Sequence, residues 1–270
     1  MTTASQRQAS AGLRARLDEH RADPALPGLP AELFAAADVI DADNVLRSAL
    51  SDSGQPLPTR TGTVRSLFGG RLSELAVDTL ADVASQRWPD PTALVEAIEG
   101  LAAQAAFIAA EGAGSLDDVE NELFTFSRAV STSADLQLAL TDPAVGSQEK
   151  AGLVRTLLEG RAGEQSTTVL AHAMSTLRGR RADAVISDLI DLAAEQRGRS
   201  VAEVRVAVPL TDEQASRLQA VLTRRYGRDI RLNVAVDPQV VGGVSVRVGS
   251  QVLDGTVASR IEQARRTLVG

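Results

Sequence analysis

A chain of 270 residues has room for two or three domains of ordinary size. Hydrophobic residues make up 44% of it and aromatics only 3%, so its cores must be aliphatic and little is left for base stacking. The net charge of −7 runs against the basic footprint of a nucleic-acid binder, and the lack of cysteine excludes disulfides, thiolate chemistry and cysteine-ligated zinc.

The opening MTTASQRQAS contains no apolar h-region, so a cytoplasmic-type chain without a secretory signal is expected. From there to about residue 200 the pattern is helical almost throughout. Leu33, Phe34, Ala37 and Ile40, followed by Val45, Leu46, Ala49 and Leu50, recur at spacings of three and four, as one helix face requires. Loops are marked by Pro24, Pro27 and Pro30, by Pro56 and Pro58, and by Trp88-Pro89-Asp90-Pro91, with Trp88 expected to plug a helix end. The apolar stretch LAAQAAFIAA (101–110) is shorter than the ~20 residues of a membrane span, so no direct membrane insertion is expected. Further helices are predicted to begin at 105–111 and to run over 117–131, 147–158, 167–177 and 182–197, with Ser147 as an N-cap. Asp142-Pro143 ends a short helix between them.

An internal repeat organises this helical part. Glu32-Leu33-Phe34 recurs 90 residues later as Glu122-Leu123-Phe124, and Leu46, Ala49, Leu50 and Asp52 recur as Leu136, Ala139, Leu140 and Asp142. Gly62, Val64, Arg65, Leu67, Gly70 and Arg71 recur as Gly152, Val154, Arg155, Leu157, Gly160 and Arg161. After Trp88 the register slips by one, so that Leu101-Ala102 matches Leu192-Ala193. The repeat predicts two helical bundles, over 1–100 and 101–197, ahead of a third domain over 198–270.

At Arg197-Gly198-Arg199 the period changes from helix to strand. Val204, Val206 and Val208 alternate as one strand, and Thr211 with Gln214 forms a capping box for a helix ending near Gly227. Ile230, Leu232, Val234 and Val236 alternate as a second strand, and Asp237-Pro238 turns toward Gly242-Gly243. Gly249-Ser250 has the signature of a two-residue hairpin that sets Val248 against Gln251 and Val246 against Leu253. Asp254-Gly255-Thr256 then opens a closing helix with Val257, Ile261, Ala264 and Leu268 on one face. The order is β-α-β-β-β-α, so the fold class is multidomain, with duplicated α bundles followed by a small α+β domain.

No catalytic constellation emerges from these residues. There is neither a GxxxxGK[ST] phosphate loop nor a GxGxxG after a strand, and Gly243-Val244-Ser245-Val246-Arg247 departs from the GxSxG elbow at its last position. His20 and His172 stand apart, and His172, between Leu170, Ala173 and Met174, reads as a partly buried helix residue. Asp117 and Asp118 suit a helix start. Arg178, Arg180 and Arg181 suit a helix end, with docking to an acidic partner as the other reading. An enzyme built on the last domain would have only Asp237, Arg247 and Asp254 near 240–255 for acid–base work, and a free helical adaptor is the remaining alternative.

The run LNVAVDPQVVGGVSVRVGSQVLDGTVASRIEQARRTL resembles the C-terminal region of the delta subunit of F-type ATP synthases, related to the oligomycin-sensitivity-conferring protein. The family signature falls on Asp237, Gly242, Gly243, Gly249, Asp254 and Gly255, as structural residues. Residues 101–197 are similar to the family's N-terminal bundle, with Ala103 and Gln104 near the place where a tyrosine is frequent, and 1–100 is an added copy as in long forms from high-GC Gram-positive bacteria. The resemblance implies a non-catalytic stator subunit without cofactor or metal. Its bundle would bind N-terminal helices of alpha subunits, and its last domain would hold the b-type peripheral stalk. Its place would be the cell membrane, peripherally on the cytoplasmic side.

Overall fold

The computed structural model describes residues 3–199, 201–226, 230–237, 243–248 and 251–254. The helices run in the order α1 (Thr3–Glu19), α2 (Leu29–Ala42), α3 (Asn44–Ser51), α4 (Leu57–Phe68), α5 (Glu74–Ser85) and α6 (Pro91–Gly112). They continue as α7 (Leu116–Thr132), α8 (Ala134–Thr141), α9 (Ser147–Leu158), α10 (Glu164–Ser175) and α11 (Ala182–Arg199). Three of the prolines read as loop markers act as helix starters instead: Pro30, Pro58 and Pro91 sit in the first turns of α2, α4 and α6, where the missing N–H would have no helical partner anyway. The apolar pattern over 33–50 is broken at Asp43, whose Oδ1 accepts the N–H groups of Val45 (2.9 Å) and Leu46 (3.1 Å) and starts α3 as a separate helix. Gly146, not Ser147, is the N-cap of α9; its N–H donates to Glu149 Oε2 at 3.4 Å. Trp88 does plug a helix end, buried with its Nε1–H donating to the last-turn carbonyl of Val83 in α5 at 2.9 Å.

The offset of 90 residues survives in the atoms. The bounds of α3, α4 and α5 become those of α8, α9 and α10 when 90 is added. Glu32 Oε1 accepts the N–H of Ser73, the N-cap of α5, at 3.0 Å, and Glu122 Oε1 accepts that of Gly163, the N-cap of α10, also at 3.0 Å. A carboxylate on a helix N-terminus satisfies a free donor and meets the positive end of the dipole. That is why Glu-Leu-Phe carries its acid in both places. Gly70 (φ 73) and Gly160 (φ 67) turn the chain after α4 and α9 in a left-handed conformation that a side chain disfavours.

α6 is the axis of the helical part. It packs against α1, α2, α3, α5, α7 and α10. Leu94, Val95, Ile98, Leu101, Ala102, Ala105, Ala106, Phe107 and Ile108 are all buried, and from 101 to 108 the helix is buried on every side, as a core helix must be. With 22 residues it reaches the length and hydropathy of a membrane span, well beyond the segment expected from 101–110, but 72% of its apolar window is buried within the protein. The division expected between residues 100 and 101 falls in the middle of this helix. Residues Met1–Ala193 form one compact unit, in which α6 contacts helices that precede it and helices that follow it.

The second compact unit is Ala194–Gly270. Its described elements are β1 (Val201–Val206), α12 (Asp212–Tyr226), β2 (Arg231–Val236), β3 (Val244–Val248) and β4 (Gln251–Asp254), in a mixed sheet of order β2-β1-β3-β4. β1 pairs parallel with β2 and antiparallel with β3. Ala202, Val204 and Val206 of β1 are buried with Val246 and Val248 of β3 and Leu222 of α12, while Glu203 and Arg205 face outward. The capping box holds α12: Gln214 N–H donates to Thr211 Oγ1 (3.2 Å) and Thr211 N–H to Gln214 Oε1 (3.0 Å). β3 and β4 pair Val248 with Gln251 and Val246 with Leu253, the register set by the hairpin reading. Val208 lies beyond β1 and is exposed. The expected closing helix from Val257 onward lies outside the described residues.

Candidate functional site

α2, α6 and the α10–α11 turn bring four charged side chains, Asp38, Asp41, Glu99 and Arg178, around a ring pair formed by α2 and α10. Phe34 of α2 stacks on His172 of α10, with ring centroids 4.1 Å apart and an interplanar angle of 24°. His172 is 8% exposed; its Nε2 lies 3.0 Å from Glu99 Oε1 and its Nδ1 3.7 Å from Asp38 Oδ1. Arg178 forks onto both oxygens of Glu99 at 2.8 Å and reaches Asp41 Oδ2 through Nη2 (3.1 Å) and Nε (3.3 Å). Asp41 is also bound by Arg47. Arg178 has φ +47, a left-handed conformation uncommon for a side-chain-bearing residue, and the following Gly179 has φ +79. From this turn the guanidinium reaches Glu99 on α6, and a two-pronged carboxylate bond of this kind is among the stronger ionic contacts.

The field of this cluster is uneven. Burial would raise the Glu99 carboxyl, but hydrogen bonds from Arg178 and His172 and the charges behind them outweigh it and hold Glu99 below the ordinary carboxylate range. Asp38 is shifted the other way: burial raises it, with the charges of Glu99 and Asp41 adding and those of His172 and Arg178 opposing. The bond to Glu99, against the effect of burial, raises Arg178 further, so it stays cationic. The cluster is an ionic joint between the repeats. His172 serves it as a structural residue, consistent with its reading as a partly buried helix histidine. Arg180 pairs with Asp188, and Arg181 with Asp183 at 2.7 Å, so every arginine of this turn has an intramolecular acid.

In the second unit the signature residues are only partly within the described part. Asp237 follows β2 and its N–H donates to Val206 O at 2.9 Å, closing the β1–β2 pair. Gly243 precedes β3 with φ +84. Asp254 ends β4 opposite Ser245. Gly242, Gly249 and Gly255 lie outside the described residues. Ser245 stands mid-strand, as its place in the alternation predicts. Among the described residues no group of three or more His, Asp or Glu side chains is placed to hold a metal ion.

The family described as ATP synthase delta (OSCP) subunit matches residues 98–268. The chain belongs to that family. It is 40% identical to the ATP synthase subunit delta of Streptomyces avermitilis over 97% of both chains, and 39% identical to that of Streptomyces griseus subsp. griseus over the full length of both. The Thermobifida fusca subunit is 38% identical over 94% of this chain and 95% of its own. A chain in the cryo-EM structure of the Toxoplasma gondii mitochondrial ATP synthase hexamer is 24% identical, covering 64% of this chain and 97% of that one, with a TM-score of 0.33, too low to bear on architecture. The family is that of a non-catalytic structural subunit.

These relatives span residues 1–97 as well, the part of the chain outside the matched segment that supplies Phe34, Asp38 and Asp41 to the joint. Sequence reasoning found His172 but not its company. The available signals were Glu99, an acid within the apolar run of α6, and Arg178 directly before a glycine. Gly243→Val is expected to lower the stability of the C-terminal unit by about 1–3 kcal/mol, because a β-branched residue resists a φ of +84. Urea unfolding followed by a probe in that unit checks this, and an unchanged midpoint would remove the structural role given to the glycine.

Proposed function

We propose that this chain is the delta subunit of a proton-translocating F-type ATP synthase, a stator part that holds the catalytic head to the b-type peripheral stalk while the central shaft turns. Residues 1–193 offer helix faces for N-terminal helices of the alpha subunits, and 194–270 hold the end of the stalk. The first six helices are an added copy of the family's bundle, fused through α6, and extend the contact with head or stalk. The chain sits peripherally on the cytoplasmic side of the cell membrane and needs no cofactor.

The observation that carries this reading is family membership over nearly the whole chain, at 40% identity to a subunit of that name. The physics agrees with it. A stator must resist torque, so its two repeats should not hinge. A shared core helix and an ionic joint oppose hinging. Nanomolar binding, about −12 kcal/mol, is within reach of apolar grooves that seat helices. Purifying the detergent-solubilised ATP synthase from the source cell tests the proposal: the chain should co-purify with alpha and b subunits, and an intact, coupled complex without it would sink the stator reading.

A further inference from the structure

The two edges of the C-terminal sheet end differently. β4, at one edge, is 4 residues long and carries Asp254, and short length and charge are what blunt an edge strand. β2, at the other edge, is 6 residues long and pairs one-to-one with β1, without a bulge. Between Arg231 and Asp237 it reads Leu-Asn-Val-Ala-Val, with neither a charge nor a proline. Asn233, Val234, Ala235 and Val236 are all exposed, the two valines at 37% and 49%. Among the described residues β2 has a strand on one side only, and an edge of this kind is a template for another strand.

The direction of its backbone groups follows from one bond. Asp237 N–H donates to Val206 O, so the odd-numbered residues of β2 turn their peptide groups toward β1. Leu232, Val234 and Val236 turn theirs to the open side. An antiparallel copy of the same strand, centred on Val234, satisfies them. Val234 meets Val234, and Leu232 meets Val236 on either side, each as a hydrogen-bonded pair, with roughly six intermolecular hydrogen bonds in all. Asn233 falls opposite Ala235. At both ends the same register sets Arg231 opposite Asp237, and cross-strand positions favour opposite charges and disfavour like ones. A parallel copy in register would set arginine against arginine and aspartate against aspartate. A slip of two residues would lose both charge pairs.

We propose that β2 is a self-pairing edge, along which two copies of this chain join antiparallel about Val234 into one continuous sheet. The same surface is used on both chains, so the contact is isologous and closes at a dimer. Two short strands bury less than the about 1,200 Å² of stable complexes, and a dissociation constant on the order of 10–100 μM is expected. The inference concerns the unassembled chain and does not rest on the proposed function.

Sedimentation of the full-length chain over concentrations spanning that range tests it. The weight-average mass should climb from the 28.3 kDa of one chain toward that of two and stop there. Val234→Pro removes an N–H that points away from β1, so the sheet within the chain keeps its bonds while the pairing loses its centre. Val234→Lys sets two like charges against each other at the same place. Each is expected to weaken association at least tenfold. Arg231→Glu and Asp237→Arg should each weaken it alone, and mixing these two variants should restore it as a heterodimer, because each altered end then meets the opposite charge. Thermal melts matching the parent separate lost pairing from lost folding; should a change at 231 or 237 lower the melt, the two Val234 variants decide. A parent chain that stays monomeric throughout overturns the proposal, as does one that grows past a dimer. So does a folded Val234→Pro chain that associates like the parent, or a mixture of folded charge variants no tighter than its components.

Discussion

Deleting residues 1–100 is expected to unfold what remains of the helical unit rather than to leave a free second bundle. The cut falls inside α6, removing Leu94, Val95 and Ile98 from a helix on which six others pack, together with all of α2. Leu29, Leu33, Phe34 and Ile40 of α2 are buried, as are the α6 residues beneath them. Each large apolar side chain that loses its cover forfeits about 1.5–3 kcal/mol, and a domain's total stability is about 5–15 kcal/mol, so a handful of such losses is decisive. The deletion also strands Arg178 and His172 without Glu99. Circular dichroism should show reduced helicity without the parent's cooperative melt, and a chain starting just before Pro91 should do measurably better because it keeps α6 whole. A deletion to residue 100 that melted like the parent would mean that the repeats are independent bundles. The role of the first repeat is better probed by substitution at exposed positions, such as Val45 at 79% exposure, that leave the core untouched.

The repeat was legible because it is written in local chemistry. Glu32 and Glu122 each hold a helix N-terminus 41 residues on, and Asp52 and Asp142 each accept an N–H two residues ahead, from Gly54 and Ala144. The strand period, the Thr211–Gln214 box and the hairpin register were legible for the same reason. The shared helix was not. Pro91 looks like a loop residue, and Gly100 sits mid-helix, so the pattern suggested a break where extensive burial sustains 22 residues of helix. The joint was hidden for a different reason: Asp38, Asp41, Glu99, His172 and Arg178 come from three helices and a turn, and only packing brings them together. Nothing in the local spacing of Phe34 and Phe124 tells which is buried. Phe34 is buried because α10 packs against α2, and Phe124 on α7 is exposed.

Replacing Glu99 by Ala is expected to be the most damaging point change in the joint, by about 1.5–3 kcal/mol at neutral pH, since it removes the nearest carboxylate from Arg178 and from the buried imidazole of His172 and leaves them only Asp41 and Asp38. Glu99→Gln should cost less, because its carbonyl still accepts one bond in the same space. The pH dependence distinguishes charge from packing. Glu99 has a lower pKa folded than unfolded, so its stabilisation is complete above the ordinary carboxylate value of about 4.3 and is lost as pH falls through the folded value. Asp38 has the opposite sign: its pKa is raised on folding, so its ionised form costs stability above that value and protonation in acid returns part of it. The two sit on either side of His172 and partly cancel in the parent. Removing the Glu99 charge should therefore both lower stability at pH 7 and flatten its fall between about pH 5 and 3, leaving the small opposite slope of Asp38 exposed. Urea midpoints at a series of pH values read this directly. A Gln variant with the parent's acid slope would mean that the fork from Arg178 holds α6 to the α10–α11 turn by shape alone, and the ionic account of the joint would have to be abandoned.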